Sequence, residues 1–436
     1  MISKYAKPLV LIIFSLLIVA CNISRHGISE KNAPHERYRR GLEDAGLANT
    51  RLGQLWQAAA NKSLSSPARV TVPYKETGYF EMEAPAAAGY MFSARRGEQL
   101  NIDVSTQPGN GFALFVELWE PIINDKPDLL SVADTIKKQI IHEVKKDGQY
   151  IVRIQPELLQ GIAYTITITT APSLAFPVNK KDEPRVISLW GVERDAGVRT
   201  HEGIDILAKK LTPAIAAADG RITNVSENNL GGKVVFMRPE GKDFNLYYAH
   251  LDSQLVRRGQ SVKTGDTLGL IGNTGNARTT PAHLHFGIYA SGGAVDPFPF
   301  VNMNRPFAKA VKADTGYVTK YARVKSNTVL HLEPAGKSSQ SAILSSGSIV
   351  KVLAAADDFF KIQLPDQMEG FIGRALITTL PLTQKTFSQA IALLDMPGND
   401  AAIKTAIEPG KTISLLGTWK DFYFAEWNNN KGWIKK

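Results

Sequence analysis

Three short motifs that contain histidine constrain the fold of this chain more than any other feature of its sequence. The chain has eight histidines, and four of them fall between Thr200 and Ile288. The motifs read His201-Glu202-Gly203-Ile204-Asp205, then Tyr248-Ala249-His250, then His283-Leu284-His285-Phe286. Since histidine is rare in the rest of the chain, the clustering predicts one chemical site built from three segments.

The spacing inside the motifs is that of β-strands. His283 and His285 are two residues apart, so a strand directs both side chains to one face while their neighbours enter the core. His201 and Asp205 are four residues apart, which is also an even spacing, so in extended chain they can share a face as well. The motifs therefore predict a strand-borne site.

Imidazole nitrogens and a carboxylate oxygen are suitable ligands for Zn²⁺. A catalytic zinc takes three protein ligands and leaves its fourth position to water. The motifs hold more histidines than this coordination needs, and a histidine beside a zinc-bound water can move protons or stabilise an oxyanion. The alternative is a structural zinc site or a degenerate domain kept for binding. Glu202 does not start an H-E-x-x-H helix, because position 205 is Asp and Gly203 weakens a helix; we expect it to be a solvated neighbour of the site.

With these motifs, the segment from about Ser188 to Pro299 resembles the lysostaphin-type or LytM-like zinc metallopeptidases of the M23 peptidase family, which cut peptide bonds in peptidoglycan. The resemblance implies that His201 and Asp205, of an H-x-x-x-D pair, and His285, of an H-x-H pair, are the zinc ligands. Shorter matches lie between the motifs, at Gly220-Arg221-Ile222, Gly259-Gln260-Ser261-Val262 and Gly272-Asn273-Thr274-Gly275.

The same resemblance assigns His250 and His283 to catalysis rather than to coordination. Two places depart from the family pattern. The turn before H-x-H reads Arg278-Thr279-Thr280-Pro281-Ala282 instead of containing Ser-Thr-Gly-Pro, and Gly287 stands where a Glu is common. Both lie beside the predicted groove, so they bear on substrate preference more than on metal binding.

The first twenty residues, 1–20, are predicted to be a lipoprotein signal peptide. Lys4 and Lys7 precede an apolar run from Leu9 to Ala20, which is short for a membrane span. The run ends in Leu17-Ile18-Val19-Ala20-Cys21, which resembles a bacterial lipobox. Acyl chains on Cys21 would anchor the protein to a membrane; an ordinary signal peptide with an incidental cysteine is the alternative. Cys21 is the only cysteine, so no disulfide can form within one chain.

Length and charge limit the class of protein. A chain of 436 residues is expected to form several domains. Its formal charge of +10 favours an anionic envelope polymer or lipid headgroups as a partner. We expect no nucleic-acid partner, because neither a recognised binding motif nor a dense Lys/Arg run accompanies the charge.

Two segments precede the peptidase-like part. Residues 21–66 are predicted to be a tether and a helical segment, because after Thr50, a suitable N-cap, apolar residues recur at helical spacing at Leu52, Leu55, Trp56 and Ala59. Residues 67–172 alternate apolar and polar positions, for example at Leu100, Ile102 and Val104, which predicts a β-sandwich accessory domain. The run Gly148-Gln149-Tyr150 within it is similar to the pre-peptidase accessory domains of secreted bacterial enzymes. A Pro- and Lys-rich linker then leads to a peptidase domain at 184–308.

The last third of the chain contains an internal repeat. Segments 347–353, 358–362 and 370–372 recur 63, 63 and 62 residues later. Short strands with a copy length near sixty resemble bacterial SH3-like barrels, so 312–380 and 381–436 are predicted to be two SH3-like domains. In wall hydrolases such modules commonly bind peptidoglycan. For the aromatic residues of the repeat, core packing is the commoner role; these are Phe359, Phe422, Trp427 and Trp433.

The patterns together predict a mainly β, multidomain lipoprotein of the bacterial envelope that faces the periplasm or the wall. Its predicted activity is that of a zinc-dependent endopeptidase, with Zn²⁺ as cofactor and the cross-links or stem peptides of peptidoglycan as substrate. A non-catalytic wall-binding or hydrolase-activating envelope lipoprotein is the alternative from a different functional class. A metallopeptidase that processes proteins in general is a third interpretation.

Overall fold

The structure is a computed structural model that describes residues 30–108, 111–121, 126–194, 197–336 and 338–436. The predicted signal peptide at 1–20, with Lys4 and Lys7, and the predicted lipid-bearing Cys21 lie outside the described residues. Within those ranges the protein is mainly β, with antiparallel sheets and few helices, as the sequence predicts. No helix in these ranges is both long and apolar enough to cross a membrane.

Two helices open the described chain, α1 (Pro34–Asp44) and α2 (Arg51–Ser65). Thr50 caps α2 as predicted, and its hydroxyl accepts a hydrogen bond from the backbone N–H of Gly53 at 3.2 Å. Trp56 is buried, and its indole N–H donates to the carbonyl of Pro156 at 2.8 Å. Leu55, from the same predicted stripe, is exposed. The helices therefore pack on the first β domain through a face centred on Trp56.

The strands that follow form two facing layers around one apolar core. They are β1 (Ala68–Arg69), β2 (Tyr74–Phe80), β3 (Ala88–Ala94), β4 (Glu98–Gln107), β5 (Leu114–Glu120), β6 (Asp128–Val132), β7 (Gln139–Glu143), β8 (Gly148–Pro156) and β9 (Ile162–Pro172). One layer has the order β1-β3-β8-β5-β6, and the other contains β2-β9-β4-β7. The alternation predicted at Leu100, Ile102 and Val104 places all three side chains in this core.

Strand β5 is buried on both faces, in contrast to the alternating pattern of β4. Its outward side chain Phe115 packs against Leu42 of α1 and Trp56 of α2. The helices thus cover the outer face of this layer, which explains why apolar residues occupy consecutive positions there.

The C-terminal third repeats one set of strands. The first copy contains β22 (Tyr321–Val324), β23 (Thr328–His331), β24 (Gln340–Leu344), β25 (Ile349–Ala356), β26 (Phe359–Gln363), β27 (Glu369–Gly373) and β28 (Ile377–Thr378). The second contains β29 (Thr383–Thr386), β30 (Ile391–Leu394), β31 (Ile403–Ile407), β32 (Thr412–Trp419), β33 (Phe422–Trp427) and β34 (Asn430–Lys435). The copies even share a bulge, between Val352 and Ala354 in one and between Leu415 and Gly417 in the other. The barrel type of the copies stays a prediction.

The first repeat is joined to the first β domain by strand pairing. Thr77 and Gly78 of β2 pair with Ala355 and Ala354 of β25, so that one sheet of the described chain runs through both units. The sequence predicts separate domains here. Pairing between strands that lie far apart in the chain leaves no local sequence pattern. The alternation of apolar and polar residues within each strand therefore does not predict its partner.

The segment between these units carries the histidine motifs. Its strands are β10 (Arg185–Ser188), β11 (Glu193–Arg194), β12 (Arg199–Thr200), β13 (Ile204–Leu207), β14 (Pro213–Ile215), β15 (Gly220–Asn228), β16 (Gly232–Pro239), β17 (Phe244–Gln254), β18 (Ser261–Val262), β19 (Thr267–Ile271), β20 (His283–Ala290) and β21 (Gly293–Val295), followed by α3 (Phe298–Val301). The main sheet order is β10-β13-β20-β17-β16-β15-β18, and its pairs are antiparallel. Leu174 and Val178, from the predicted linker, are buried in the core of this unit.

Ion pairs hold this unit against the first β domain. Arg305 lies 2.6 Å from Glu98, and Arg95 lies 2.6 Å from Asp296. Both contacts involve the chain after β20, beyond Ala290. His283 begins β20, so the histidine motifs lie at the opposite end of that strand.

Candidate metal centre and catalytic cleft

Strand pairing brings the predicted ligands together. β13 and β20 are antiparallel neighbours, and Asp205 is directly opposite His285. Residues directly opposite in such a pair have side chains on the same face of the sheet. His201 precedes β13, and its backbone is held by hydrogen bonds with Val192, whose carbonyl accepts at 2.8 Å, and with Gly191, whose N–H donates at 2.9 Å.

Three side-chain atoms form a nearly equilateral triangle at this point. Nε2 of His201, Oδ1 of Asp205 and Nδ1 of His285 each lie 3.0 Å from the other two. Ligands at about 2.0–2.1 Å from a tetrahedral zinc ion are about 3.3 Å apart, so the three atoms are spaced for one small ion.

The protonation of His201 supports the same conclusion. Its Nδ1 lies 2.8 Å from the carbonyl oxygen of Leu189, which can only accept a hydrogen bond. The ring proton is therefore assigned to Nδ1, and Nε2 presents a lone pair toward Oδ1 of Asp205. Two acceptors that face each other at this distance repel unless a cation or a proton lies between them. The described residues thus fit a bound Zn²⁺.

Two of the three triangle residues, Asp205 and His285, have pKa shifts that favour the state that binds a metal. Burial of Asp205 opposes its ionisation, but the contacts with His201 and His285 outweigh this effect and hold the pKa of the carboxyl far below its ordinary value. Burial lowers the pKa of His285, against the opposing influence of Asp205. A carboxylate and neutral imidazoles are the forms that ligate a metal ion.

His250 and His283, the two predicted catalytic residues, lie beside the triangle. Their ring centroids are 4.9 Å apart, and Nε2 of His283 is 3.9 Å from Oδ1 of Asp205. In each ring Nδ1 is 2.9 Å from a carbonyl oxygen, that of Thr274 for His250 and that of Pro281 for His283. Each Nδ1 therefore carries a proton, which makes Nε2 the acceptor of the neutral ring.

His250 is further adapted to act as a neutral base. Burial, followed by the repulsion that His283 and His285 exert when they are protonated, lowers the pKa of His250 to about 4. Its φ of 60° lies in the left-handed region, which is uncommon for a residue with a side chain. The backbone on both sides is fixed, since the His250 N–H donates to Gly231 at 2.8 Å and its carbonyl accepts from Gly272 at 3.0 Å. Strained residues of this kind concentrate at functional sites.

An open cleft of about 760 Å³ leads to these residues. Besides the five predicted site residues, side chains from several loops and strands line it, including Arg194, Glu202, Leu230, Tyr247, Asn276 and Tyr289. All of the described lining residues come from the segment between Arg194 and Tyr289. No described residue of the other units is among those that line the cleft.

The two departures from the family pattern lie at or near this cleft. Thr280, from the altered turn, is one of its lining residues. At Gly287, a Cβ atom would stand 3.0 Å from the ring of Tyr289. The aromatic side chain thus takes the space beside position 287. Glu202 is exposed in the cleft, as expected for a solvated neighbour.

Sequence reasoning missed one charged residue of the site. Nη2 of Arg194 lies 2.8 Å from Oδ2 of Asp205 and 2.7 Å from the hydroxyl of Ser188. Arg194 and Ser188 precede the first histidine motif, and neither belongs to a residue spacing that indicates a metal site. A lone arginine in a basic chain carries no signal that separates it from its many exposed counterparts.

The remaining described histidines lie away from the cleft. His35 is buried among aromatic rings of the N-terminal unit, and His142 and His331 belong to β7 and β23. His26 lies outside the described residues. Among the described histidines, only the four of the three motifs therefore lie at the cleft.

Comparisons with known proteins find relatives of the segment that carries the histidine motifs. Residues 199–297 match the sequence profile of Peptidase family M23. The peptidoglycan DD-endopeptidase ShyC of Vibrio cholerae is 37% identical over 95 residues, which are 22% of this chain and 21% of the relative. The murein hydrolase activator NlpD of Escherichia coli is 33% identical over 119 residues, 27% of this chain and 30% of the relative.

Among solved structures, the catalytic domain of the antimicrobial peptidase lysostaphin from Staphylococcus simulans is 28% identical. The match covers 27% of this chain and 92% of that domain, with a TM-score of 0.25. The two curated relatives are each matched over less than a third of their own length.

Proposed function

We propose that residues 184–308 form a zinc-dependent endopeptidase that hydrolyses peptide bonds, in cross-links or stem peptides, of bacterial peptidoglycan. The observation that carries the proposal is the triangle of His201, Asp205 and His285, with two further histidines at its side. Three ligands on one small ion, an open approach and two acceptor nitrogens nearby are what metal-assisted amide hydrolysis requires.

In the proposed mechanism His201, Asp205 and His285 would hold Zn²⁺, and the ion would supply a lowered pKa, toward about 7, for a bound water molecule and polarisation of a carbonyl. His250 is neutral at pH 7, because burial lowers its pKa to about 4, and its Nε2 can accept a proton. His283 offers a second acceptor nitrogen. The carbonyls of Thr274 and Pro281 keep both rings in the orientation that this role needs.

The choice of peptidoglycan as substrate rests on the relatives. ShyC is named for the hydrolysis of peptidoglycan, and the M23 domain is the part that this chain shares with it. A cross-linked peptide in a rigid wall needs an open cleft, and the cleft here has that character. The formal charge, +10 for the whole sequence and +8 without residues 1–20, suits an anionic polymer.

The other parts of the chain have proposed roles in placing the enzyme. Lipidation of Cys21 would attach the protein to a membrane of the bacterial envelope, and the helical segment of 21–66 would connect this anchor to the rest. The β-sandwich domain at 67–172 would serve as a spacer or a wall-binding module. The SH3-like domains at 312–380 and 381–436 would bind peptidoglycan.

A non-catalytic function is the second candidate, because the similarity to NlpD is to a murein hydrolase activator. In that case the protein would bind the wall or activate another hydrolase. The presence of all three ligand side chains and of both additional histidines favours the enzyme, because an activator needs neither a metal nor a proton acceptor at this place.

Digestion of purified sacculi by residues 22–436 tests the proposal. The wild type, the variant His285→Ala and the chelated wild type are compared, and the soluble and insoluble muropeptides are then separated. We expect the wild type alone to remove one cross-linked species, which names the bond. If a zinc-loaded, folded wild type leaves the sacculi intact, the result favours the activator function. Cleavage of unfolded polypeptide but not of sacculi would indicate a general protein-processing peptidase.

A further inference from the structure

Arg194 lies in a β-hairpin whose backbone hydrogen bonds also position His201. It lies on β11, which pairs with β12 so that Arg194 is opposite Arg199 and Glu193 is opposite Thr200. The residue after Thr200 is His201, whose N–H donates to the carbonyl of Val192 at 2.8 Å. The hairpin that carries Arg194 is therefore anchored at the metal centre.

The guanidinium of Arg194 reaches the face of Asp205 that is turned away from the imidazoles. Its Nη2 donates to Oδ2 of Asp205 at 2.8 Å, whereas Oδ1 of the same carboxylate faces His201 and His285. The Arg194 side chain is 35% exposed and that of Asp205 is 12% exposed, so this ion pair is largely shielded on the aspartate side.

The same nitrogen also donates to the hydroxyl of Ser188 at 2.7 Å. Ser188 is opposite Asp205 in the pairing of β10 with β13, next to a bulge in β10. Its hydroxyl lies 3.2 Å from Nδ1 of His201. Arg194 is thus linked to one ligand directly and to a second one through Ser188.

We propose that Arg194 is a positioning residue of the metal centre, which holds Asp205 so that only Oδ1 binds the metal ion. The inference rests on the proposed zinc site and goes beyond it by adding a residue that is not a ligand. Because Oδ2 is engaged by the guanidinium, the aspartate would offer the ion one oxygen, Oδ1. Partners that orient ligands in this way are commonly worth 10–100-fold in metal affinity.

A simple charge effect would act in the opposite direction. Arg194 carries a positive charge close to the site of a divalent cation, so its removal weakens a repulsion and should tighten zinc binding. Loss of orientation should weaken zinc binding. The sign of the change in affinity therefore separates the two effects.

The experiment measures zinc affinity of residues 22–436 by competition with a chromophoric chelator. For Arg194→Gln we expect an affinity about 10–100-fold lower than that of the wild type. Arg194→Lys, which keeps a cationic donor, should recover part of the loss. Arg257→Gln is the control, because it removes an exposed arginine of the same unit that does not line the cleft, and it should keep wild-type zinc affinity.

Substitution of Co²⁺ for zinc provides a readout that a change in overall stability does not move. The visible absorption of four-coordinate Co²⁺ is more intense than that of five-coordinate Co²⁺. If Arg194→Gln frees Oδ2 to bind as well, the absorption should weaken, while Arg257→Gln should keep the wild-type spectrum.

The outcomes distinguish this inference from the proposed function. Wild-type protein that binds no zinc contradicts the metal centre itself. Wild-type protein that binds zinc, together with Arg194→Gln protein of equal or tighter affinity and an unchanged cobalt spectrum, contradicts the role of Arg194 alone. Circular dichroism of each variant shows whether it is folded, and Arg194→Lys supplies a second test if Arg194→Gln is not.

Discussion

Gly203 lies directly against the ring of His285: a Cβ atom at position 203 would stand 2.7 Å from Nε2 of that histidine. Real Cβ atoms do not approach other heavy atoms so closely, so only glycine fits while His285 keeps its place. The first motif therefore requires glycine at position 203 on steric grounds. It allows the segment between His201 and Asp205 to pass close to the strand that carries the third ligand.

Gly203→Ala should displace His285 from the triangle and weaken metal binding. The expected result is a lower zinc content after dialysis against a weak chelator, together with lower activity on sacculi. Gly292→Ala is the matched control, because Gly292 is exposed in a turn and a Cβ atom there meets nothing within 4 Å. A Gly203→Ala protein with full zinc content would contradict this explanation.

His250→Asn should separate catalysis from metal binding. His250 is not one of the three closely spaced donors, so zinc content should stay at the wild-type level, while the loss of a general base lowers turnover by about 10²–10⁴-fold. Asparagine is chosen because it tolerates the left-handed backbone conformation at this position. Zinc content by atomic absorption and the rate of muropeptide release are the measurements. His142→Asn, outside the cleft, should change neither, and loss of zinc from His250→Asn would indicate that His250 is a ligand.

Protonation of His35 should make the N-terminal unit less stable in mild acid. The ring is 4% exposed, with Nε2 at 2.6 Å from Oε1 of Gln155 and Nδ1 at 3.2 Å from Nη2 of Arg153. A guanidinium only donates, so Nδ1 accepts and the folded state requires the neutral ring. Burial, followed by the charge of Arg153, lowers the pKa of His35 to about 3.

The sign of the effect follows from linkage. In the unfolded chain His35 titrates near its ordinary pKa of about 6.5, so the unfolded state takes up the proton first as the pH falls. Stability is fully present above about pH 6.5 and is lost toward pH 3, by up to about 1.4 kcal/mol per pH unit. Hydrogen exchange of α1 and α2 between pH 7 and pH 5 should show this slope in the wild type. His35→Gln should lack it, and equal slopes in both proteins would contradict the assignment.

Glu76 should stabilise the junction between the first β domain and the first repeat. It is fully buried on β2, and its carboxylate accepts hydrogen bonds from the hydroxyls of Tyr74 at 2.5 Å, Tyr90 at 2.7 Å and Tyr164 at 2.9 Å. Lys361 of the first repeat lies over the ring of Tyr90, with Nζ at 5.6 Å from the centroid. The network therefore connects residues of both units.

Glu76→Leu leaves these hydroxyls without their acceptor. The expected cost is about 3 kcal/mol of unfolding free energy, since a buried unsatisfied polar group costs about 1–3 kcal/mol. Denaturant unfolding followed by tyrosine fluorescence measures the change. Glu83→Gln, on the exposed part of the turn after β2, should be close to neutral, and Glu76→Leu with a wild-type midpoint would contradict this role.

Much of the fold could be predicted because its signals are local. Alternation at Leu100, Ile102 and Val104 depends only on the period of a strand with one face in the core, and all three are buried as that pattern requires. Thr50 as a helix cap depends on a side chain that bonds to the backbone three residues later, which is again a local relation. The burial of Leu174 and Val178 was harder to predict, because both lie in a stretch rich in Pro and Lys, whose composition indicates a linker.

The sequence by itself determined which side chains are available for a metal centre and that His283 and His285 share a face, because a strand has a period of two residues. Only the tertiary structure decided that Asp205 is opposite His285, that Arg194 holds the far oxygen of that aspartate, and that Thr77 pairs with Ala355. These contacts join segments distant in the chain. Strand register and side-chain reach decide them, and neither is recorded in the local pattern of residues.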